Sequence, residues 1–128
     1  MIAKEKQLGV NVDLRVAELD VSGQNLIELD LSRYPNLEVL DCSENELTEL
    51  DLSHTPELTY LRCYENQLTE LDLSHTPELT ELRCYRNQLT KLDLSHTPEL
   101  TYLRCSNNLF SLDDLDLSHI KNLQETDF

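Results

Sequence analysis

Leucine and other apolar residues recur at fixed positions of a unit that is 21 residues long. Residues 58–78 read LTYLRCYENQLTELDLSHTPE, and residues 79–99 repeat them almost unchanged as LTELRCYRNQLTKLDLSHTPE. A unit of this length cannot bury its own apolar face, so consecutive units have to stack and share one core. The pattern therefore predicts a solenoid in which each unit forms one turn.

Apolar and polar residues alternate at two places in each unit, which are residues 60–63 and 71–73 in the first of these copies. Period two is the spacing of side chains on one face of a β-strand, so we expect two short strands per turn. Pro77 removes a backbone donor and disfavours helical angles at the residue before it, so little or no helix is expected in the repeats. The predicted fold class is an all-β repeat solenoid.

An asparagine follows the first predicted strand of every regular turn. The column consists of Asn45, Asn66, Asn87 and Asn108. A buried side-chain amide can bond to backbone groups of its own turn and of the next one. We therefore interpret the column as a structural ladder that satisfies the corner of each turn.

The resulting motif, LxxLxCxxNxL, resembles that of the leucine-rich repeat family, and the short unit containing LDLS is similar to the repeats of bacterial surface and internalin-like proteins. The resemblance covers about Val16 to Phe128. It implies a right-handed solenoid with a parallel concave sheet that binds partners. It also implies a secreted or cell-surface protein whose targeting segment is absent from this chain, with a cytoplasmic location as the alternative.

The chain has 128 residues and no break in composition, so a single domain is expected. Residues 1–15 lie outside the repeat and are predicted to cap the N-terminal end of the core. Residues 16–128 are predicted to form about five turns and a truncated last turn. A two-residue insertion follows Asn108, after which the phase is restored and Phe128 falls at the cysteine position of a sixth strand.

The net charge of −15 excludes some classes of partner. Nucleic acids and anionic membranes would be repelled at long range, so neither is expected as the main partner. No stretch approaches the roughly 20 apolar residues of a transmembrane helix, so membrane insertion is not expected either.

One cysteine occupies the same position in each of four turns, at Cys42, Cys63, Cys84 and Cys105. In-register strands would stack these thiols in a row ~4.8 Å apart. A row cannot provide the tetrahedral ligands of a zinc site. The column is therefore predicted to consist of buried, reduced thiols that pack as small hydrophobes, and neither a metal nor a cofactor is expected.

Tyrosines and arginines occupy the strand positions that are expected to point outward, on the predicted concave face. Because both residue types dominate binding hot spots, this face is the candidate site for a protein partner. The candidate residues are Tyr60, Arg62, Tyr64, Glu81, Arg83, Tyr85, Arg86, Tyr102 and Arg104, and the acidic residues Glu18, Asp20, Asp41 and Glu44 lie towards the N-terminal end. Repulsion among stacked arginines would favour an anionic partner. The alternative is a solvated surface in which arginines stack on tyrosines and pair with Glu65 or Glu81.

The opposite edge repeats aspartate, serine and histidine in columns, of which the histidines are His54, His75, His96 and His119. A histidine row could bind a transition metal or respond to pH, but its place in a Ser-His-Thr-Pro corner favours a structural role. Catalysis requires an asymmetric arrangement of residues in which a base lies beside a nucleophile, whereas these residues all recur in columns. The chain is therefore not expected to be an enzyme.

These patterns favour a non-catalytic protein-binding module. The alternatives are a spacer or stalk segment of a larger surface protein, and a glycan-binding surface built on the exposed tyrosines. At the C-terminal end, Leu117, Leu123 and Phe128 are predicted to form a last turn with an exposed apolar surface. Two outcomes are expected there, either weak self-association that salt strengthens or fraying of the last residues.

Overall fold

The computed structural model describes residues 13–128. Their single sheet consists of six short parallel strands in the order β1-β2-β3-β4-β5-β6. The strands are β1 Glu18–Asp20, β2 Val39–Asp41, β3 Tyr60–Arg62, β4 Glu81–Arg83, β5 Tyr102–Arg104 and β6 Glu125–Asp127. One 3₁₀ helix, Leu112–Asp114, lies between β5 and β6. The predicted repeat solenoid with a parallel sheet and almost no helix is confirmed.

Equivalent residues of successive turns lie beside each other in the sheet. Leu40 pairs with Leu61, and Leu61 pairs with Leu82. The last pair is Leu103 with Thr126, because the 3₁₀ helix accommodates the inserted residues before β6. The sequence repeat therefore sets the register of the sheet, and the insertion leaves the register unchanged.

The core lies directly behind the sheet. The central residue of each of the strands β2 to β5 is a leucine that is fully buried, and the cysteine column lies next to it in the core. Complete burial of a leucine side chain contributes roughly 1.5–3 kcal/mol relative to an exposed one. Since every turn adds the same buried residues, each turn stabilises its neighbours through one continuous core.

The second strand of each turn is not formed among the described residues, so this part of the prediction is wrong. Residues 71–73 have no strand pairing, although Leu71 and Leu73 are buried as their alternation implies. The backbone donors after them are used locally: Ser74 N donates to Asp72 Oδ1 at 2.9 Å, and Thr76 N donates to Leu73 O at 3.2 Å. Turn formation thus replaces a second sheet.

In the described residues, one or two backbone hydrogen bonds join neighbouring turns on that side of the solenoid. Gln67 N donates to Leu47 O at 2.8 Å, and Gln88 N donates to Leu68 O at 2.9 Å. These contacts precede the predicted second strand and are too few to form a ladder.

The asparagine column connects adjacent turns at the corner after each strand. Asn66 Nδ2 donates to Cys63 O of its own turn at 3.2 Å and to Cys42 O of the preceding turn at 3.0 Å. Its Oδ1 accepts a hydrogen bond from Leu47 N at 2.9 Å. Asn87 repeats this arrangement one turn later. Both ends of each buried amide therefore have backbone partners.

The residue before each asparagine has a left-handed backbone. Positive φ angles of 57°, 55°, 57° and 57° occur at Glu44, Glu65, Arg86 and Asn107, and Gly23 takes this position in the first turn with φ 64°. This conformation costs a non-glycine residue roughly 1–2 kcal/mol. The asparagine ladder and the sheet on either side hold the strained corner in place.

The predicted N-terminal cap, residues 1–15, falls mostly outside the described residues and stays a prediction. In the described part of the chain, no helix is long and apolar enough to cross a membrane. Near the C-terminus, Phe128 is 40% exposed, and Leu117 and Leu123 are only partly buried. Self-association or fraying at this end stays a prediction as well.

Candidate functional site

The outward-pointing side chains of β1 to β6 form one surface, which we call the sheet face. Each strand contributes its first and third residues to the sheet face, while the central residue of each of the strands β2 to β5 is buried in the core. The first column is Glu18, Val39, Tyr60, Glu81, Tyr102 and Glu125, and the third-residue column is Asp20, Asp41, Arg62, Arg83, Arg104 and Asp127. A further column lies two residues after the third-residue column in the sequence and consists of Ser22, Ser43, Tyr64, Tyr85 and Ser106.

Tyr64 and Tyr85 form a parallel aromatic pair at the border of the sheet face. Their ring centroids are 4.6 Å apart, and the ring planes differ by 5°. The spacing of neighbouring strands is ~4.8 Å, so equivalent tyrosines on adjacent turns are brought to stacking distance by the fold itself. Such pairs contribute about 0.5–1.5 kcal/mol beyond their burial.

Two arginines lie over tyrosine rings on the sheet face. The guanidinium carbon of Arg83 is 4.9 Å from the centroid of Tyr102, and that of Arg104 is 5.2 Å from the centroid of Tyr85. Both distances fall within the ~6 Å range of cation–π attraction. Burial, followed by the neighbouring Tyr64, raises the pKa of the Tyr85 phenol. Aromatic and cationic groups are thus packed into one continuous surface.

Three carboxylates pair with the four arginines of this surface and offset most of their charge. Glu81 Oε2 is 3.1 Å from Nε of both Arg62 and Arg83. Arg86 pairs with Glu65 at 3.0 Å, and Arg104 pairs with Asp127 at 3.1 Å. Pairs this exposed contribute little stability, but they offset the predicted repulsion between stacked arginines. That repulsion therefore gives no support to an anionic partner.

The acidic residues at the N-terminal end of the sheet face differ from this paired region. Within residues 13–128, none of Glu18, Asp20, Asp41 and Glu44 forms a salt bridge. Asp20 accepts hydrogen bonds from the Ser22 hydroxyl at 2.7 Å and from Ser22 N at 3.0 Å, which lower the pKa of its carboxyl. The sheet face is consequently divided into an acidic end and a charge-paired tyrosine–arginine region.

Most of the candidate residues predicted from the sequence are brought together. Arg83, Tyr85, Tyr102 and Arg104 contact each other or share partners, while Tyr60 lies towards the acidic end and is 43% exposed. Asp127 was missed as the partner of Arg104. It could have been found by carrying the third-residue column through the two-residue insertion.

The cysteine column forms no disulfide, and all four thiols are buried. The predicted burial of the column is confirmed. Burial raises the pKa of the Cys63 thiol well above its ordinary value, and it raises the pKa of Cys105 to about 11. The thiols therefore stay protonated at neutral pH and are poor nucleophiles.

The edge opposite the sheet face is built from repeated turns. Ser74 donates its hydroxyl and backbone hydrogens to Asp72 Oδ1, at 2.6 and 2.9 Å, and these bonds lower the pKa of the Asp72 carboxyl. His75 Nε2 lies 3.9 Å from Asp72 Oδ2. Across residues 13–128, no three His, Cys, Asp or Glu residues are grouped as metal ligands. The serine hydroxyl is directed to the aspartate, which fits the predicted structural role of this corner.

Comparison with known proteins agrees with the geometry. Residues 35–75 match the family model "Leucine Rich repeats (2 copies)". No curated protein sequence matches the chain. The repeat unit, the asparagine column, the parallel sheet and this match together show that the chain has the leucine-rich repeat fold.

Solved structures with the same fold include two internalins. Internalin C2 of Listeria monocytogenes is 26% identical, with a TM-score of 0.79 over 85% of this chain and 50% of that chain. The internalin inlF of the same organism is 23% identical, with a TM-score of 0.70 over 77% of this chain and 30% of that chain. The leucine-rich repeat domain of APL1B is 23% identical, with a TM-score of 0.63 over 85% of this chain and 42% of that chain. The chain thus spans half or less of each of these structures, and its repeats resemble those of internalins.

Proposed function

We infer that this chain is a non-catalytic protein-binding module whose partner contacts the tyrosine–arginine region of the sheet face. The observation that supports this most is the partly exposed Tyr64–Tyr85 stack with Arg104 lying over Tyr85. Tyrosine and arginine are the side chains that most often supply the binding energy of an interface. Their positions on adjacent strands hold them in place before a partner arrives, so less entropy is lost on binding.

Differences between the repeats also favour the sheet face. Fold-determining positions are the same from turn to turn, and the sequence SHTPEL occurs unchanged at residues 53–58, 74–79 and 95–100. In contrast, the column of Tyr64 and Tyr85 contains serine in the other turns, and the first column varies among glutamate, valine and tyrosine. A spacer would have no need for such variation on one surface. The opposite edge, which is identical in these three turns, is therefore the part that serves the fold.

Resemblance to internalins supports a secreted or cell-surface location for the parent protein, with a cytoplasmic location as the alternative. The experiment below also distinguishes this function from two alternatives. One is a spacer or stalk, which the paired charges of the sheet face favour. The other is a glycan-binding surface, which the exposed Tyr60 and the partly exposed tyrosines beside it favour.

Site-specific photocrosslinking tests the binding function. A benzophenone amino acid is placed either at position 64 on the sheet face or at position 75 on the opposite edge, and each protein is incubated with surface extracts of candidate host or neighbouring cells. We expect a discrete protein adduct from position 64 and none from position 75. Equal labelling from both positions, or none from either, would overturn the proposal in favour of a spacer. A glycan array with the unmodified chain identifies the glycan alternative.

A further inference from the structure

The charge-paired region of the sheet face shows how this fold holds a guanidinium group. Arg83 lies 4.9 Å from the Tyr102 ring and 3.1 Å from the Glu81 carboxylate. Arg104 lies 5.2 Å from the Tyr85 ring and 3.1 Å from the Asp127 carboxylate. Each arginine thus contacts one tyrosine face and one carboxylate, both supplied by the chain itself.

The same tyrosine position recurs two turns earlier, but with a carboxylate in place of the arginine. Tyr60 aligns with Tyr102 through the strand pairing, and Asp41 aligns with Arg83 in the neighbouring column. Tyr60 is 43% exposed, whereas Tyr102 is partly buried. In the described residues no arginine lies over the Tyr60 ring.

Charge on the surrounding surface is mostly negative, because the neighbouring cation, Arg62 beside Asp41 in the sheet, is paired with Glu81. Glu18, Asp20 and Glu44 lie in the same or neighbouring columns, and like Asp41 they have no salt-bridge partner within residues 13–128. Four carboxylates close together repel one another, so a cation placed among them is attracted by all four. An aromatic ring beside them adds attraction from its electron-rich face.

We propose that the acidic end of the sheet face binds a basic segment of the protein partner, with an arginine of that segment lying over Tyr60 and pairing with Asp41. This inference rests on the proposed function and specifies the chemistry of the partner. Arginine fits better than lysine, because its planar guanidinium can stack on a ring while it forms two hydrogen bonds to a carboxylate. The partner's arginine would contact a tyrosine ring and a carboxylate, as Arg83 does within this chain. Its carboxylate would come from Asp41, because the position equivalent to Glu81 is Val39.

Peptide titration followed by NMR tests the inference without the natural partner. The probe is the capped peptide Gly-Arg-Gly-Arg-Gly-Arg-Gly. Its lysine analogue has the same charge without the planar guanidinium and controls for geometry. Its glutamate analogue has the opposite charge and controls for charge. With isotope-labelled protein, we expect the arginine peptide to shift the Tyr60 ring signals and the amides of β1 and β2. The lysine analogue should shift them several-fold more weakly, and the glutamate analogue should not shift them.

Because the whole chain has a net charge of −15, a matched variant has to separate specific from general attraction. Asp41→Arg and Glu70→Arg change the charge equally, and Glu70 is an exposed residue outside the sheet face. Position 41 should tolerate arginine, since Arg62 and Arg83 occupy the equivalent place in adjacent turns. We expect Asp41→Arg to weaken the peptide affinity at least about tenfold, or 1.4 kcal/mol, and Glu70→Arg to change it less than about twofold.

Equal weakening by both variants, or peptide-induced shifts spread over Glu49, Glu70 and Asp72, would overturn the inference. An arginine peptide that produces no shift at Tyr60 would overturn it as well. Photocrosslinking at position 64 is read out separately, so the proposed function can hold while the arginine-binding inference fails. If the crosslinking fails and the peptide still binds at Tyr60, the proposed function is wrong and only a cation-binding surface remains.

Discussion

The Tyr64 and Tyr85 rings stack in parallel, with their centroids 4.6 Å apart. The two residues are 21 positions apart in the chain, and only the repeat brings them together. Neighbouring turns place equivalent residues ~4.8 Å apart, which is suitable for stacking planar side chains. A repeat that contains tyrosine at this position in two successive turns therefore creates an ordered aromatic surface without any additional structural element.

Removing a ladder asparagine should destabilise the solenoid. In Asn66→Ala, the backbone donor of Leu47 loses its partner inside the core. The carbonyls of Cys42 and Cys63 each lose one of two asparagine donors and keep the other, from Asn45 and Asn87 respectively. A buried group without a partner costs about 1–3 kcal/mol, so a loss in this range is expected in urea unfolding followed by circular dichroism. The exposed neighbour provides the control, as Gln67→Ala should change stability by less than about 0.5 kcal/mol. Similar losses in both variants would show that the amide is hydrated rather than buried.

Backbone strain at the corner makes a separate prediction. Gly23 has φ 64°, and a Cβ atom added there would meet no atom within 4 Å. Gly23→Ala should therefore cost about 1 kcal/mol through the backbone alone. Gly23→Asn should cost less, because asparagine tolerates this conformation and Asn107 adopts it in this chain. Equal thermal midpoints for the glycine and alanine proteins would contradict the assigned geometry.

The aspartate column predicts how stability depends on pH. Hydrogen bonds from the following serine lower the pKa of Asp51, Asp72 and Asp93 in the folded protein below the ordinary value of 3.8. A group with a lowered folded pKa contributes stability above its unfolded pKa, and that contribution is lost as the pH falls through the folded value. The urea midpoint should therefore decrease between about pH 5 and about pH 2.5.

Replacing the serines tests the cause of this acid sensitivity. Ser74→Ala and Ser95→Ala together remove the hydroxyl hydrogen bond to Asp72 and part of the effect on Asp93. The decrease in the urea midpoint on acidification should become smaller in this double variant. The histidines beside the aspartates also contribute, so a His75→Gln variant measures their share. An unchanged pH profile in the serine variant would show that other carboxylates control acid unfolding.

Thiol chemistry should report on the integrity of the core. Burial raises the pKa values of all four thiols, and Cys105 is the least shielded, with a pKa of about 11. A chromogenic disulfide reagent at about pH 7.5 should therefore modify none of the cysteines rapidly in the native protein and all four after denaturation. Cys105 should be the first to react in the native state. Rapid modification of Cys63 would contradict the burial of the central turns.

The sequence predicted the repeat, the register of the sheet and the inward leucines, because identical turns leave only one way to align equivalent residues. It did not reveal that residues 71–73 lack strand pairing. Alternation of apolar and polar residues indicates only which side chains point inward. Leu71 and Leu73 are buried as it predicts, but their backbone need not pair with a neighbouring strand for that. The backbone N–H of Ser74 donates to the Asp72 side chain in a local turn, so it is not available to pair with a neighbouring strand.

The composition of the candidate site was predicted, and so was the alternative in which its arginines stack on tyrosines and pair with Glu65 or Glu81, contacts that the structure contains. Columns of tyrosine and arginine follow from the repeat alone, whereas the pairing of Glu81 with both Arg62 and Arg83 depends on side-chain rotamers. Without these contacts the arginines resemble an anion-binding row. With them, the unpaired charge of the sheet face is the acidic end near Asp41, which reverses the expected charge of the partner.

The central claim is that the tyrosine–arginine region of the sheet face is the surface that binds a protein, and affinity measurements on two matched double variants test it most directly. Tyr64→Ser with Tyr85→Ser introduces the residue that the chain itself has at Ser43 and Ser106, so folding should be retained. His75→Gln with His96→Gln changes the exposed opposite edge. With the crosslinked partner in biolayer interferometry, the tyrosine variant should bind at least about tenfold more weakly and the histidine variant within about twofold of the parent. Unchanged affinity in the tyrosine variant, or an equal loss in both, would contradict the account.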